Sequence, residues 1–480
     1  DTGGTGGTGA VAGASSGSGG KSAAGGSFSM GGSSAGGTGV GGSAFGGTTS
    51  AGGTAGTNNP AGGTSAGGAA AGSSTGGSAQ GGTANGGASM GGAQGGGGGK
   101  SMGGAGGASM GGAPTGGSGG SPAGSYPCDG STTGYNALMI KTGSTWVVTN
   151  AGKQVYSGAD MEAALRAAYG SLTAGRTSKQ SILVQGSGDI PANSQVPIPS
   201  YTVVNVCGTV NVSGTGAGAD KSPFYARNAR DIEIPNLKMT GAPAYGIFFR
   251  GTNNMHLGNI DLRLSTSSPG IGIRVDTSAS AGTDSTFNQN LRIDRVFGSG
   301  MSSHIVETYG INNITIGTVE GENVGECGVL LNRSTNATVD LVSCTDCASG
   351  AGYAAFRMAN NNGRLNNGYA TVNIVAKKVV ARGGGRGIFS VSGSGAARIE
   401  HVDIQDTGNN SILLENAHNV TVGNAAQQSR IASSGELRIA GTSSDIRMQN
   451  IAVSGTAIRE EPCATGSTWT NVNGAPTNCN

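Results

Sequence analysis

Four charged or amide residues occupy the last position in successive copies of one short apolar segment. Arg250, Asp276, Glu307 and Asn332 each occupy the fourth position of a copy, and the first and third positions are mostly aliphatic. Strand side chains alternate between two faces, so the fourth position points away from a core that the first and third positions pack. If the copies stack as parallel strands about 4.8 Å apart, the four side chains form one polar row. Such a row of mixed charge is a candidate active groove.

Two chemistries fit this row. β-Elimination on a uronate chain needs a cation that neutralises the sugar carboxylate and a base that removes the C5 proton. The candidates for these roles are Arg250, Arg274, His304 and Tyr309. Hydrolysis instead needs an acid and a base or nucleophile from two carboxylates, for which Asp276 and Glu307 are the candidates. The sequence leaves both chemistries open.

Two residues interrupt columns that are otherwise apolar. His304 stands where neighbouring copies carry an aliphatic residue, and Arg357 interrupts another inward column. Either the register shifts there, or the two side chains are buried by design. His304 is then either a core histidine whose ring nitrogens have hydrogen-bond partners, or a base near Glu307. An unpaired buried guanidinium is costly, so we expect the segments 303–310 and 353–360 to form the site.

The predicted site residues fall into two groups. The candidate catalytic residues are His304, Glu307, Tyr309, Arg357 and Asp276. The candidate substrate-binding residues are Arg250, Arg274, Asn332, Arg333, Phe356, Asn360 and Phe389, of which the two phenylalanines would offer a flat platform for sugar rings. No metal ligands are assigned.

The strand copies belong to a long repeat. Between residues 231 and 453 an Asn or Asp, a pair of alternating aliphatic residues and a polar turn recur at intervals of mostly about 22 to 26 residues. Two intervals stretch to about 36 residues, which indicates an insertion of about a dozen residues in each. Short strands at a fixed period are typical of a solenoid. Neither the helical return of leucine-rich repeats nor the Trp-Asp signature of propellers occurs, which leaves an all-β parallel β-helix.

One helix stands ahead of the repeat. Residues 160–169 place Met161, Leu165 and Tyr169 on one stripe behind an Asp160 N-cap, and the first coils begin near Ser181. A solenoid needs its open end covered, because that end exposes apolar surface and strand edges. We therefore predict that this helix caps the column, and that asparagines in the turns adopt left-handed conformations.

Seven cysteines indicate an oxidising compartment. Cys463 and Cys479 are spaced for a disulfide that closes the C-terminal tail. Cys344 and Cys347 form one CxxC without a second pair or a nearby histidine, so we favour a disulfide or stacked cysteines over zinc. With an odd count, one thiol stays free or pairs outside the chain.

Residues 1–125 differ in composition from the rest. They contain no Leu or Ile, and Lys21 and Lys100 are their only basic residues. A glycine-rich segment with so little to bury cannot offset its ordering entropy, so we predict a disordered spacer before a β-helix domain at 126–480. Two lysines and a net charge of +2 argue against nucleic acid as a partner. No apolar run is long enough for a spanning helix.

The repeat, the cap helix and the asparagine-marked turns over residues 135–453 resemble the pectate-lyase-like superfamily of right-handed parallel β-helices, which includes polysaccharide lyases and polygalacturonase-type hydrolases. The Asn-Thr-Asp, Asp-Asp, Gly-His-Gly and Arg-Ile-Lys pattern of polygalacturonases is absent, which weakens that branch. Asp276 and Glu307 match only in part the clustered aspartates of calcium-dependent pectate lyases, so the resemblance leaves calcium open. The leader is similar to the spacers of some bacterial surface lipoproteins.

The resemblance implies a monomeric protein that is secreted or attached to the cell surface and has a polysaccharide as its partner. The first expectation is a lyase acting on a uronate-containing polysaccharide. The alternatives are a glycoside hydrolase on the same groove and a non-catalytic surface or adhesion protein.

Overall fold

The computed structural model describes residues 126–277, 287–349, 352–477 and 479. The predicted spacer of residues 1–125 lies outside the described residues. The described part is a parallel β-helix with one helix, α1 (Met161–Ser171), at its N-terminal end, so the predicted fold class is confirmed. No helix among these residues is long and apolar enough to cross a membrane.

Two sheets run along the β-helix. Sheet 2 contains eleven short parallel strands, one for each coil. Its strands are β6 (Gln195–Pro197), β9 (Ser222–Arg227), β11 (Tyr245–Arg250), β13 (Ile271–Asp276), β15 (Val306–Tyr309), β17 (Val329–Asn332), β19 (Phe356–Ala359), β21 (Arg386–Ser390), β24 (Asn410–Glu415), β27 (Glu436–Ala440) and β29 (Ile458–Glu461). We call the side of sheet 2 that points away from the core the outer face.

Sheet 1 contains the other nineteen strands, and many of them are long and bent. They are β1 (Ala137–Thr142), β2 (Thr145–Asn150), β3 (Lys153–Gly158), β4 (Gln180–Gln185), β5 (Gly188–Pro191), β7 (Thr202–Cys207), β8 (Thr209–Thr215), β10 (Arg230–Ala242), β12 (Asn253–Leu264), β14 (Asn288–Ser299), β16 (Ile311–Glu322), β18 (Thr335–Thr345), β20 (Ile374–Arg382), β22 (Ser394–Ile399), β23 (Val402–Gln405), β25 (Ala417–Val422), β26 (Ser429–Ala432), β28 (Ser444–Ser454) and β30 (Thr468–Val472).

A stack of aliphatic side chains fills the core between the two sheets. In β11 the inward residues Ile247 and Phe249 are fully buried, and Ile273 packs in the same column of β13. Burial of apolar surface stabilises the fold by roughly 25 cal/mol per Å², and period-2 alternation places one face of every strand in this column. The same alternation forces the other face of sheet 2 outward.

Asparagine and aspartate residues form the bends near the start of the long strands. Asp231, Asn254, Asn290 and Asn313 have positive φ angles of 57°, 58°, 66° and 65°. Asn and Asp tolerate the left-handed region better than other residues with a Cβ. Each amide also donates to the preceding coil, at 3.2 Å from Asn254 to Asp231 and 2.7 Å from Asn290 to Asn254. The predicted role of these turn residues is confirmed.

The cap consists of α1 (Met161–Ser171) and the antiparallel strands β1 to β3. The Asp160 side chain accepts from the Ala163 backbone N–H, as expected of an N-cap. Met161 and Leu165 on the buried stripe of α1 join the main core cluster. The sequence predicts the helix and its capping role but not the antiparallel strands beside it.

Three disulfides occur among the described residues. Cys128 pairs with Cys207, Cys344 with Cys347, and Cys463 with Cys479, which confirms the predicted C-terminal pairing and the preference for a disulfide in the CxxC. Cys327 is the free thiol and is buried. Disulfides are typical of an oxidising compartment.

Candidate functional site

The strand register decides which outward residues become neighbours. Arg250 lies opposite Asp276 in β13, Asp276 opposite Tyr309 in β15, and Tyr309 opposite Asn332 in β17. Glu307 instead lies opposite Arg274, one column away. The predicted alignment, in which Glu307 lies opposite Asp276, was therefore wrong by two residues. A shift of two preserves the strand face, so Glu307 still points outward.

Charges compensate one another across β11, β13 and β15. Arg250 donates to both carboxylate oxygens of Asp276, at 2.8 and 2.9 Å, and to Asp220 at 3.1 Å. Arg274 bridges the two predicted carboxylates, with Nε 2.9 Å from Asp276 Oδ2 and Nη1 2.7 Å from Glu307 Oε2. Asp276 and Glu307 are therefore neighbours, held by one guanidinium.

The amide residues extend this network toward β19. Asn332 donates to Glu307 Oε1 at 2.9 Å, and Asn360 donates to Asn332 Oδ1 at 2.9 Å. The polar row predicted from the repeat is thus a continuous hydrogen-bonded chain. Burial raises the pKa of the Glu307 carboxyl, and the neighbouring Arg274 opposes that shift.

Arg357 occupies an outward position of β19, in the column of Glu307 and Leu330. The predicted copy began at Ala355, but β19 begins at Phe356, so the register shifts by one residue. Phe356 is fully buried in the core, and its predicted role as a sugar platform was wrong. Ala355 and Phe356 are both apolar, and the larger side chain fills the core more completely, which turns Arg357 outward.

The Arg357 guanidinium lies between two aromatic rings. Its Cζ atom is 5.2 Å from the ring centroids of both Tyr353 and Phe389. Its Nε is buried without a hydrogen-bond partner, and no carboxylate among the described residues forms an ion pair with it. A guanidinium held this way is free to bind an anion.

Arg386 stands beside Arg357 on the next strand. Its guanidinium lies 5.1 Å from the Phe389 ring centroid, and its Nε donates to Asn410 at 3.0 Å. The Nη1 atom has no partner among the described residues. Burial lowers the pKa of Arg386, and the charge of Arg357 lowers it further, while Glu415 opposes both. Two adjacent cations without ion pairs thus define a positively charged stretch of the outer face.

His304 contacts Glu326 rather than Glu307. The Cys327 backbone N–H donates to His304 Nδ1 at 3.2 Å, which leaves the proton of the neutral ring on Nε2, 3.1 Å from Glu326 Oε2. Burial lowers the pKa of His304 to about 4, so the ring is neutral at pH 7. This hydrogen bonding fits a residue that orients Glu326.

Glu326 has one further donor and an aromatic neighbour. The hydroxyl of Ser303 donates to Glu326, and the ring centroid of Tyr353 lies 5.6 Å from that of His304. Burial and the nearby Glu326 raise the pKa of Tyr353 to about 12, so the phenol keeps its proton at pH 7. The Glu326 side chain remains 23% exposed and Tyr353 is half-buried, so both reach solvent beside Arg357.

The remaining predicted residues lie around this cluster. Tyr309 is half-buried next to Asp276. Phe389 is buried beneath Arg357 and Arg386, so its predicted role as a sugar platform was also wrong. Arg333 follows Asn332 at the turn, 5.3 Å from the Phe287 ring centroid. The repeat did not reveal Glu326, since it lies in the turn before β17 and outside the aligned columns. A comparison of the turns, in which Ser303 and Glu326 precede successive strands by a similar spacing, could have found it.

The carboxylates do not fit a calcium site. Both Asp276 oxygens and Glu307 Oε2 accept from arginines, and Glu307 Oε1 accepts from Asn332. Calcium needs six to eight oxygen ligands that are free to coordinate it. Among the described residues no three His, Cys, Asp or Glu side chains group in a way that could hold a metal ion.

No protein-family model matches the chain, and a search of curated protein sequences finds no match. Among solved structures, the chain is similar to the A-module of the mannuronan C-5 epimerase AlgE6 from Azotobacter vinelandii. The sequence identity is 11% and the TM-score is 0.35, over 65% of this chain and 91% of the module.

Proposed function

We propose that this protein is an extracellular enzyme that cleaves a uronate-containing polysaccharide by β-elimination on the outer face of sheet 2. One observation carries the proposal. Arg357 forms no ion pair with a carboxylate among the described residues, and it lies against the protonated phenol Tyr353, which neighbours the neutral His304 and, through it, Glu326. These are the groups that an elimination next to a sugar carboxylate requires.

Arg357 supplies the charge that the first step needs. The uronate carboxylate of the sugar to be cleaved pairs with the Arg357 guanidinium, and Arg386 adds positive charge from the next strand. Neutralising the carboxylate makes the C5 proton more acidic and stabilises the negative charge that develops when it leaves. The aromatic rings of Tyr353 and Phe389 hold the guanidinium in place.

Glu326 and Tyr353 move the protons. The Glu326 carboxylate takes the C5 proton, and the electrons of the C5–H bond form the C4–C5 double bond as the C4–O4 bond breaks. The phenol of Tyr353 gives its proton to the departing O4. Glu326 then returns a proton to the Tyr353 phenolate, which restores both groups. Ser303 donates to Glu326, and His304 Nε2 lies 3.1 Å from its Oε2, so both residues orient it.

The predicted residues on the first half of the outer face take a binding role in this proposal. Arg250, Arg274, Tyr309, Asn332 and Asn360 offer hydrogen-bond donors to the hydroxyl groups of neighbouring sugars. Asp276 and Glu307 hold the two arginines in position.

The proposal is tested with purified protein and a panel of polyuronates and neutral glycans, following both reducing ends and the ultraviolet absorbance of unsaturated ends. We expect new unsaturated ends on a polyuronate, and their loss in Glu326→Gln and Tyr353→Phe. Arg263→Gln, which changes an exposed arginine of sheet 1, serves as the matched control. Binding without any product would leave a non-catalytic surface protein and overturn the proposal.

A second candidate is a glycoside hydrolase that uses Asp276 and Glu307. The raised pKa of Glu307 favours it, because a hydrolase needs one carboxyl that stays protonated near neutral pH. The ion pairs of both carboxylates with Arg274 disfavour it, since a general acid or nucleophile must be free to reach the sugar. New reducing ends without unsaturated ends would support this candidate over the lyase.

A further inference from the structure

A cleft of about 530 Å³ opens on sheet 1, around the turn from the outer face. Its floor is made by the first residues of β14, β16 and β18, and its far wall by the loop of residues 361–373. We call it the amide cleft, because most of its polar groups are side-chain amides. Neither Glu326 nor Arg357 lines it, so it is separate from the elimination site.

Side chains of three successive coils form the floor. Gln289, Asn312 and Thr335 lie opposite one another in the strand register. Asn312 donates to Gln289 Oε1 at 2.6 Å and accepts from Thr335 at 3.1 Å and from Asn336 at 2.6 Å. These bonds fix the amides at a spacing of about 4.8 Å and leave further donors and acceptors pointing into the cleft. Among the described residues that line the cleft there is no carboxylate, and Arg364 is the one charged side chain, whose guanidinium can donate to sugar hydroxyls.

Two apolar side chains line the cleft beside this polar floor. They are Phe287 and Leu365. The Leu365 loop is held in shape, because the backbone groups of Leu365 and Gly368 exchange two hydrogen bonds of 2.9 Å. Asn419 also donates to the Tyr369 carbonyl at 2.6 Å, which ties the loop to sheet 1. A polar floor beside apolar side chains, formed in advance, is typical of a small-ligand site.

We infer that the amide cleft binds one neutral sugar ring on a side branch of the polysaccharide that the outer face cleaves. Paired amides recognise vicinal hydroxyls, and Phe287 offers the apolar C–H face of a pyranose a ring to pack on. The position of the cleft carries the choice of a branch. Phe287 contacts Arg333, which directly follows Asn332 of the outer face, so a main chain on the outer face passes within one turn of the cleft. This inference rests on the proposed function.

The test uses pairs of acidic polysaccharides with and without their neutral branches. Rhamnogalacturonan I and xylogalacturonan, whose uronate-containing main chains carry neutral branches, serve as probes, each native and enzymatically debranched, and affinities are measured by affinity electrophoresis with the full chain. We expect the wild-type protein to bind at least one native polymer about tenfold more tightly than its debranched form, as one additional ring contact would give. Phe287→Ala and Asn366→Ala should remove that preference, and Arg263→Gln should keep it.

Each outcome separates the two proposals. An unchanged preference in Phe287→Ala and Asn366→Ala, or equal binding of native and debranched polymers by the wild-type protein, overturns the cleft inference and leaves the lyase proposal standing. A preference that depends on Phe287 and Asn366 without any cleavage overturns the lyase proposal and leaves the cleft as a sugar-binding site. Absence of binding to every probe overturns the cleft inference.

Discussion

Arginines serve two different purposes on the two halves of the outer face. From β11 to β15, Arg250 and Arg274 have carboxylate partners and form a closed network of ion pairs. From β19 to β21, Arg357 and Arg386 lie against aromatic rings and have no ion pair among the described residues. A cation that is already neutralised holds structure, whereas one that is not can bind an anion.

The proposed chemistry is centred at β17 to β19, between the two sets of arginines. We call β11 to β15 the neutralised half and β19 to β21 the positive half. Glu326 and Tyr353 lie where the neutralised half ends and the positive half begins. A uronate chain along the outer face would place its carboxylates on the positive half. The groups that move protons then lie at the border between the halves.

The largest expected effect is on activity when the positive half loses its charge. Arg357→Gln should lower kcat/KM for the polyuronate by about 1000-fold, because the developing charge loses its main stabilising cation. Thermal unfolding should stay near that of the wild type, since no ion pair is broken. Kinetics checks the predicted loss of activity, and calorimetry on the same preparation checks the predicted stability. A loss of Tm comparable with that of Glu307→Gln would show that Arg357 is structural.

The next effect is on stability when the neutralised half loses a partner. Glu307→Gln should lower the free energy of unfolding by about 3 kcal/mol, because the guanidinium of Arg274, whose side chain is only 22% exposed, keeps one carboxylate partner fewer. Chemical denaturation measures the change. In the double variant Arg274→Met/Glu307→Leu the cost should shrink, since no unpaired charge is left. Equal losses in the single and double variants would speak against an ion pair that holds structure.

The third effect is a pH dependence at the border. Burial lowers the folded pKa of His304 to about 4, below its ordinary value near 6.5. The neutral ring therefore stabilises the fold by about 2 to 3 kcal/mol above pH 6.5, and this contribution is lost as the pH falls toward 4. Glu326 opposes the shift, and Arg357 and Arg274 reinforce it. The free energy of unfolding, measured from pH 7 to pH 4, should fall less steeply in His304→Gln than in the wild type. Parallel curves would exclude this linkage.

The smallest effect is expected at the exposed edge of the neutralised half. Asp220→Asn removes one partner of Arg250, but both side chains are about one quarter exposed and Asp276 still pairs with Arg250. We expect a loss of less than about 1 kcal/mol in the free energy of unfolding, with activity unchanged. A larger loss would mean that the network acts as one unit.

Much of the fold could be predicted from the residues alone. Alternating aliphatics, asparagines at a fixed period and the apolar stripe behind Asp160 predict coils, bends and a cap, because each is a local rule of backbone geometry. The outward direction of Arg250, Arg274, Asp276 and Glu307 follows from the same alternation. The antiparallel strands β1 to β3 were missed, although the Ala151–Gly152 turn, with positive φ angles of 48° and 77°, is a typical hairpin connection.

The sequence by itself determined the β-helix and the face on which each strand residue of a well-marked copy lies, because strand periodicity is local. Only the tertiary structure decided the register of β15 and β19, since the choice between Ala355 and Phe356 depends on which side chain fills the core. It also decided that Glu326, from a turn, meets His304 and Tyr353 from other coils. Contacts between residues of different coils depend on the combined length of the turns between them, and no local sequence pattern determines that length.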